Sequence, residues 1–169
     1  MSALKLISTT ALLLTTSALM QTTLAGSSTV PVSSPAVSIK PFPKPHAGDK
    51  RLVIRLPARA NENALLVRVT PGKLGRVDCN NQAYTGTLET KTLQGWGYNF
   101  YVLRTKGEAM STLMACPPNS ARTAFVPVAG AEQTLSYNSR MPLIYYVPKD
   151  FNVQYEVFAP QQQGTAKPE

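Results

Sequence analysis

The chain has 169 residues, with 17 Lys and Arg against 9 Asp and Glu, a formal charge of +8, two cysteines and one histidine. A serine or cysteine hydrolase needs a general base beside its nucleophile, and His46 stands in a proline-rich stretch that gives it no fixed neighbours. The acidic residues form no glycosidase-like pair, no glycine loop cradles a phosphate and no ligand cluster surrounds the cysteines, so an enzyme, a metal site and a bound cofactor are all disfavoured.

Residues 1–25 carry a single charge, Lys5, then an apolar run densest at Leu12–Leu14, then small residues ending at Ala25. That is the anatomy of a cleaved secretory signal peptide. The run is diluted by Thr and Ser and is shorter than the ~20 residues a span needs, which argues against a membrane anchor. Cleavage would remove Lys5 and leave +7. The remaining cations are scattered, apart from Lys50-Arg51, which does not suit a nucleic-acid arm. A basic module for an anionic envelope polymer is the alternative reading that this charge keeps open.

Segment 26–47 holds Pro31, Pro35, Pro41, Pro43 and Pro45. Prolines at this density block helix and central strand, so a mobile or extended N-terminal arm is expected. From Lys50 the pattern changes to period two, which marks half-buried strands. Strands are expected at Lys50–Leu56, Ala64–Thr70, Gly86–Leu93, Asn99–Thr105, Ala124–Val128, Thr134–Tyr137, Leu143–Val147 and Val153–Phe158. Turn signals separate them, among them Pro71-Gly72, Gly95-Trp96-Gly97, Asn119-Ser120 and Pro148-Lys149-Asp150. The expected fold is therefore one all-β domain over 48–160, a barrel-like or sandwich arrangement with long surface loops. The last strand is able to pair within the chain or with another chain. Residues 161–169 read as a disordered tail.

Cys79 and Cys116 are an even pair, which in an exported protein is most simply one disulfide; two buried free thiols are the alternative. Two loops stand out on this scaffold. Lys106 to Cys116 places Met110, Leu113 and Met114 where a surface loop should be polar. It is either an exposed recognition loop or a strand whose Leu and Met face the core. Leu93 to Asn99 holds the only Trp, between two glycines. Trp is a favoured interface anchor, although it could also fold back over the core edge.

At these residues the sequence resembles ecotin, a family of periplasmic serine-protease inhibitors. The matching motifs are Val77-Asp78-Cys79-Asn80, Lys91-Thr92-Leu93-Gln94-Gly95-Trp96-Gly97-Tyr98, Met110-Ser111-Thr112-Leu113-Met114-Ala115-Cys116-Pro117 and Tyr137-Asn138-Ser139-Arg140-Met141-Pro142. They occur in order within a similarity running from about Lys50 to Phe158.

The resemblance implies an antiparallel β-barrel-like domain with a Cys79–Cys116 disulfide. It implies a homodimer that exchanges its C-terminal strand, with Val153, Tyr155, Val157 and Phe158, and binds two proteases. The partners would be trypsin-fold enzymes of the chymotrypsin, trypsin and elastase types. Leu113–Met114 would be the reactive bond, flanked by Met110, Ser111, Thr112 and Ala115 in the primary loop. A second protease-binding patch on the other chain would comprise Trp96, Gly97, Tyr98, Asn99, Ser136, Asn138 and Arg140. No cofactor is implied, and the location would be the periplasm. The chain departs from the family pattern at Leu113, where Met is common, and at Ala109, where proline is common. Further departures are Ser136 and Ala83 in place of basic residues, Asn99 in place of an acid, and one residue fewer between Phe125 and Tyr137.

Overall fold

The structure is a computed structural model that describes residues 37–168. The expected signal peptide and the first part of the arm lie outside these residues. The described chain is built from strands, with a single short 3-10 turn at Glu62–Ala64.

Three sheets form. In the first, β1 (Asp49–Ile54), β9 (Leu143–Pro148), β5 (Asn99–Arg104) and β4 (Thr87–Thr92) lie side by side in that order. In the second, β10 (Asn152–Phe158) flanks one side of the long β2 (Leu66–Val77), while β8 (Gln133–Ser136) and β7 (Arg122–Pro127) share its other side. The third joins only β3 (Gln82–Tyr84) and β6 (Ala109–Ser111).

Apart from a lone parallel bridge of Tyr84 to Val128, the ladders between strands are antiparallel except at one place. Tyr101 and Val102 of β5 pair in parallel with Tyr145 and Tyr146 of β9. A long excursion separates these two strands, so no hairpin forces them into opposite directions.

β5 and β9 read as nearly continuous apolar runs because both of their faces are covered. Tyr101, Leu103, Tyr145 and Val147 face the second sheet and meet Ile54, Leu56, Val67, Val69, Val128 and Phe151 in the main core. Phe100, Val102, Ile144 and Tyr146 face the other way and close around Phe42. Phe42 is only 3% exposed, and the backbone carbonyl of Pro43 accepts hydrogen bonds from Tyr146 and Arg51. The described part of the arm has neither helix nor strand, as its prolines require, and it packs on the sheet through Phe42. The prolines exclude regular structure without revealing that a phenylalanine among them fills a hole on the sheet.

Pro71-Gly72, expected as a turn, instead continues β2. β8 pairs with residues 66–69 of this strand and β7 with residues 72–77. The proline falls where the ladder changes partner, so its missing N–H costs no ladder bond on that side. A Cβ at Gly72 would strike the carbonyl oxygen of Val126 and the ring of Phe125, so only glycine lets the strands approach. Residues 161–168 form no strand and lie exposed.

Candidate functional site

The disulfide joins Cys79 to Cys116 across a Cα–Cα distance of 5.6 Å. It draws the end of β2 against the loop that follows β6. β3 and β6 hold the same two segments together one step further along, with Ala83 opposite Met110. Each of these strands has three residues, too few for a period to emerge from the sequence.

Between these two fastenings the loop bulges outward. Leu113 is 98% exposed, and Met114 and Met110 are 56% and 46% exposed. The core-strand alternative is thereby excluded, because the apolar side chains of this loop face solvent. Burying a leucine in a partner's pocket is worth about 1.5–3 kcal/mol relative to leaving it in water, so the loop carries unused binding energy.

Asn80 holds the loop from behind. Its Oδ1 accepts from the backbone N–H of Met114 at 2.6 Å and from the Thr112 hydroxyl at 3.0 Å. Its Nδ2 donates to the Met114 carbonyl at 3.3 Å. One amide side chain therefore grips both flanks of Leu113. Thr112 is tied a second time, since its Oγ1 accepts from Asn81 N at 3.1 Å and its N–H donates to Asn81 O at 3.1 Å. Ser111 makes a local bond, donating to the Thr112 carbonyl. The Ser111 bond is local, whereas those of Thr112 cross to another segment.

Asp78 supports Asn80 in turn. Its carboxylate accepts from the Asn80 backbone N–H at 2.8 Å and from the Asn80 side chain at 3.1 Å. Hydrogen bonds from Asn80, then a weaker one from Gln82, hold the Asp78 carboxyl below its usual range. The role of Asn80 is invisible in the sequence beyond its position directly after a cysteine, and either it or Asn81 would fit that description.

The second candidate loop turns tightly between β4 and β5. Leu93 donates to Tyr98 O at 2.7 Å, while the Trp96 and Gly97 N–H groups return to Leu93 O. Gly95 and Gly97 adopt φ of 77° and 69°, a region that side chains resist. Trp96 is 56% exposed. Tyr98 is the residue that packs inward, stacked on Phe42 with ring centroids 6.5 Å apart. Asn99 accepts a hydrogen bond from the Thr92 hydroxyl.

Strand register places this turn and the 138–140 loop at one end of the domain. β5 and β9 run parallel from Asn99 and Leu143, so residues 96–99 and 138–140 emerge together. Ser136 sits at the same end, opposite Leu66. The Leu113 loop leaves from the other end of β2. Its 12 residues at ~3.3 Å each span roughly 36–40 Å.

A domain whose described residues form strands and one short 3-10 turn, braced by one disulfide and offering an apolar loop, belongs to the class of scaffolds that bind through their loops. It belongs to the ecotin family: the family model described as Ecotin matches residues 38–160. A protein named Ecotin from Pseudomonas putida (strain W619) is 43% identical over 139 residues, covering 79% of this chain and 87% of the relative. An Ecotin from Pseudomonas fluorescens (strain Pf0-1) is 43% identical over 147 residues, covering 86% and 91%. An Ecotin from Serratia proteamaculans (strain 568) is 42% identical over 125 residues, covering 73% and 74%. Family membership implies serine-protease inhibition as the general function.

Proposed function

We propose that this chain is a reversible, substrate-like inhibitor of trypsin-fold serine proteases, acting in the periplasm after loss of its signal peptide. The observation that carries the proposal is Leu113, 98% exposed on a loop held at both flanks. Leu113 enters the specificity pocket of the protease, and Met114 lies beyond the scissile bond. A loop already held in shape loses little entropy on binding. After attack on the Leu113 carbonyl, the amine of Met114 is the leaving group. Asn80 Oδ1 keeps that nitrogen in place, and Cys116 anchors its strand two residues on. Religation then competes with hydrolysis because the amine keeps a high effective concentration. The mechanism uses no metal and no cofactor.

The second patch, Trp96 to Asn99 with Ser136, Asn138 and Arg140, supplies further contact to a protease held by a partner chain. Its separation from Leu113 by the length of β2 supports this division of labour. A dimer that exchanges β10 brings the two kinds of site onto one protease, and two proteases load per dimer. Tyr155 supports the exchange. By alternation it shares a face with Val153 and Val157, which pack on the core, yet it stays 45% exposed. β10 lies at a sheet edge along its own β2, and exchange would keep that register while moving the strand to the partner.

Leu113→Asp tests the reading. A carboxylate in an apolar pocket forfeits the leucine's burial and adds a desolvation cost, so inhibition of chymotrypsin should weaken by roughly a hundredfold or more. Ser136→Ala should change it by less than about threefold. Equal losses would remove Leu113 as the primary anchor.

A further inference from the structure

At the end of the domain that carries Asn138 and Arg140, a cleft of about 720 Å³ separates the 138–140 loop from the loop before β2. Arg59, Asn61, Glu62, Asn138, Ser139 and Arg140 line it. Arg59 and Arg140 are exposed. Among the described residues neither guanidinium forms an ion pair. The single acid, Glu62, is already engaged: its two oxygens accept from the backbone N–H groups of Arg59 at 3.2 Å and Ser139 at 3.1 Å.

These bonds make one unit of two loops. Tyr137 donates from its hydroxyl to Pro57 O and from its N–H to Leu65 O. Arg140 N donates to Asn138 Oδ1 at 2.9 Å. Asn61, at φ of 56°, makes the bend that brings Glu62 back toward Ser139. A surface that docks on Asn138 and Arg140 therefore meets Arg59 and Asn61 in fixed positions.

We infer that this cleft receives a carboxylate-bearing surface segment of the protease held at the second patch, with Arg59 and Arg140 as its two cationic jaws. The inference rests on the inhibitor reading and adds Arg59 and Asn61, with a preference for acidic target surfaces, to the second patch. Guanidinia suit carboxylates because their fork geometry matches the two oxygens. The backbone of both walls needs little reordering on binding, since hydrogen bonds already fix the two loops, and only the two guanidinium side chains have to be ordered.

Anionic and cationic trypsins test it, because they share a specificity pocket and differ in surface charge. The full mature protein carries Leu113→Arg as a common background, so that both pockets are filled. On that background, Arg59→Glu should raise the inhibition constant for anionic trypsin roughly tenfold and for cationic trypsin less than about twofold. The gap should close near ~0.5 M salt. Arg59→Lys keeps the charge but loses the fork, so on anionic trypsin it should fall between the parent and Arg59→Glu, and on cationic trypsin it should stay within about twofold of the parent. Equal effects of Arg59→Glu on the two trypsins, or none, would overturn the cleft while leaving the inhibitor reading intact. Failure of the Leu113→Arg background to inhibit either trypsin would instead overturn the inhibitor reading. Melting temperature checks folding, and Arg59 is exposed enough for the variants to keep the parent's value.

Discussion

Asn80→Ala is the most informative single change behind the reactive loop. It deletes the hydrogen bonds to Met114 N, Met114 O and the Thr112 hydroxyl, and a weaker one to Cys116 Sγ. Each is worth about 0.5–1.5 kcal/mol net, and the freed groups are exposed enough to turn to water, so about 2 kcal/mol of loop preorganisation is lost. The inhibition constant for chymotrypsin should then rise roughly thirtyfold. A second effect should follow from geometry. The Met114 nitrogen loses its acceptor, so it leaves more readily after cleavage and the protein drifts from inhibitor toward substrate. Tight-binding titration measures the first effect, and mass spectrometry of the mixture over time measures the second. Asn80→Asp keeps an acceptor for Met114 N but loses the donor to Met114 O and places a charge beside Asp78, so it should fall between the parent and Asn80→Ala. An Asn80→Ala variant within twofold of the parent and equally resistant to cleavage would refute this account of how the loop is held.

Replacing both Cys79 and Cys116 by Ala should lower stability by about 4 kcal/mol in the chain-entropy picture of a ~38-residue loop; denaturant unfolding reads this, and inhibition should fall with it. The carboxyls of Asp78 and Asp150 are lowered by hydrogen bonds, from Asn80 and from Lys73 respectively, and that of Glu62 by Ser139. Lowered carboxyls favour the folded state wherever they are ionised. Their contribution is therefore complete above the ordinary carboxyl range near pH ~4 and is lost as pH falls through their lowered values. The melting temperature should hold between about pH 7 and 5 and drop below about pH 4. Sedimentation should give twice the mass of the mature chain, and Tyr155→Asp should shift the protein toward monomer.

Much of this architecture is legible in the residues. Leu52, Ile54 and Leu56 alternate as a strand should, and β4, β5, β9 and β10 fall within a residue or two of their expected bounds. The all-β class and the disulfide follow from the same patterns and the cysteine count. The exposure of Leu113 is not legible, because an apolar side chain in a short extended segment reads equally as core or as bait. Only the way Asn80 and the disulfide push the loop outward decides it. The prolines around Phe42 and the pair Pro71-Gly72 mislead for a related reason: local chemistry marks them as breakers, while their conformations are set by partners distant in the chain. The Arg59–Arg140 cleft is likewise tertiary, since 80 residues separate Pro57 from the Tyr137 that fastens it.

The direct test of the central claim is titration of chymotrypsin, elastase and trypsin with the purified mature protein, followed by mass spectrometry of the complexes. The account predicts stoichiometric inhibition, strongest for the enzymes with apolar pockets. It also predicts one slow cut after Leu113, whose two fragments stay joined until Cys79–Cys116 is reduced. Inhibition of none of the three, or inhibition accompanied by a cut at another bond, would contradict it.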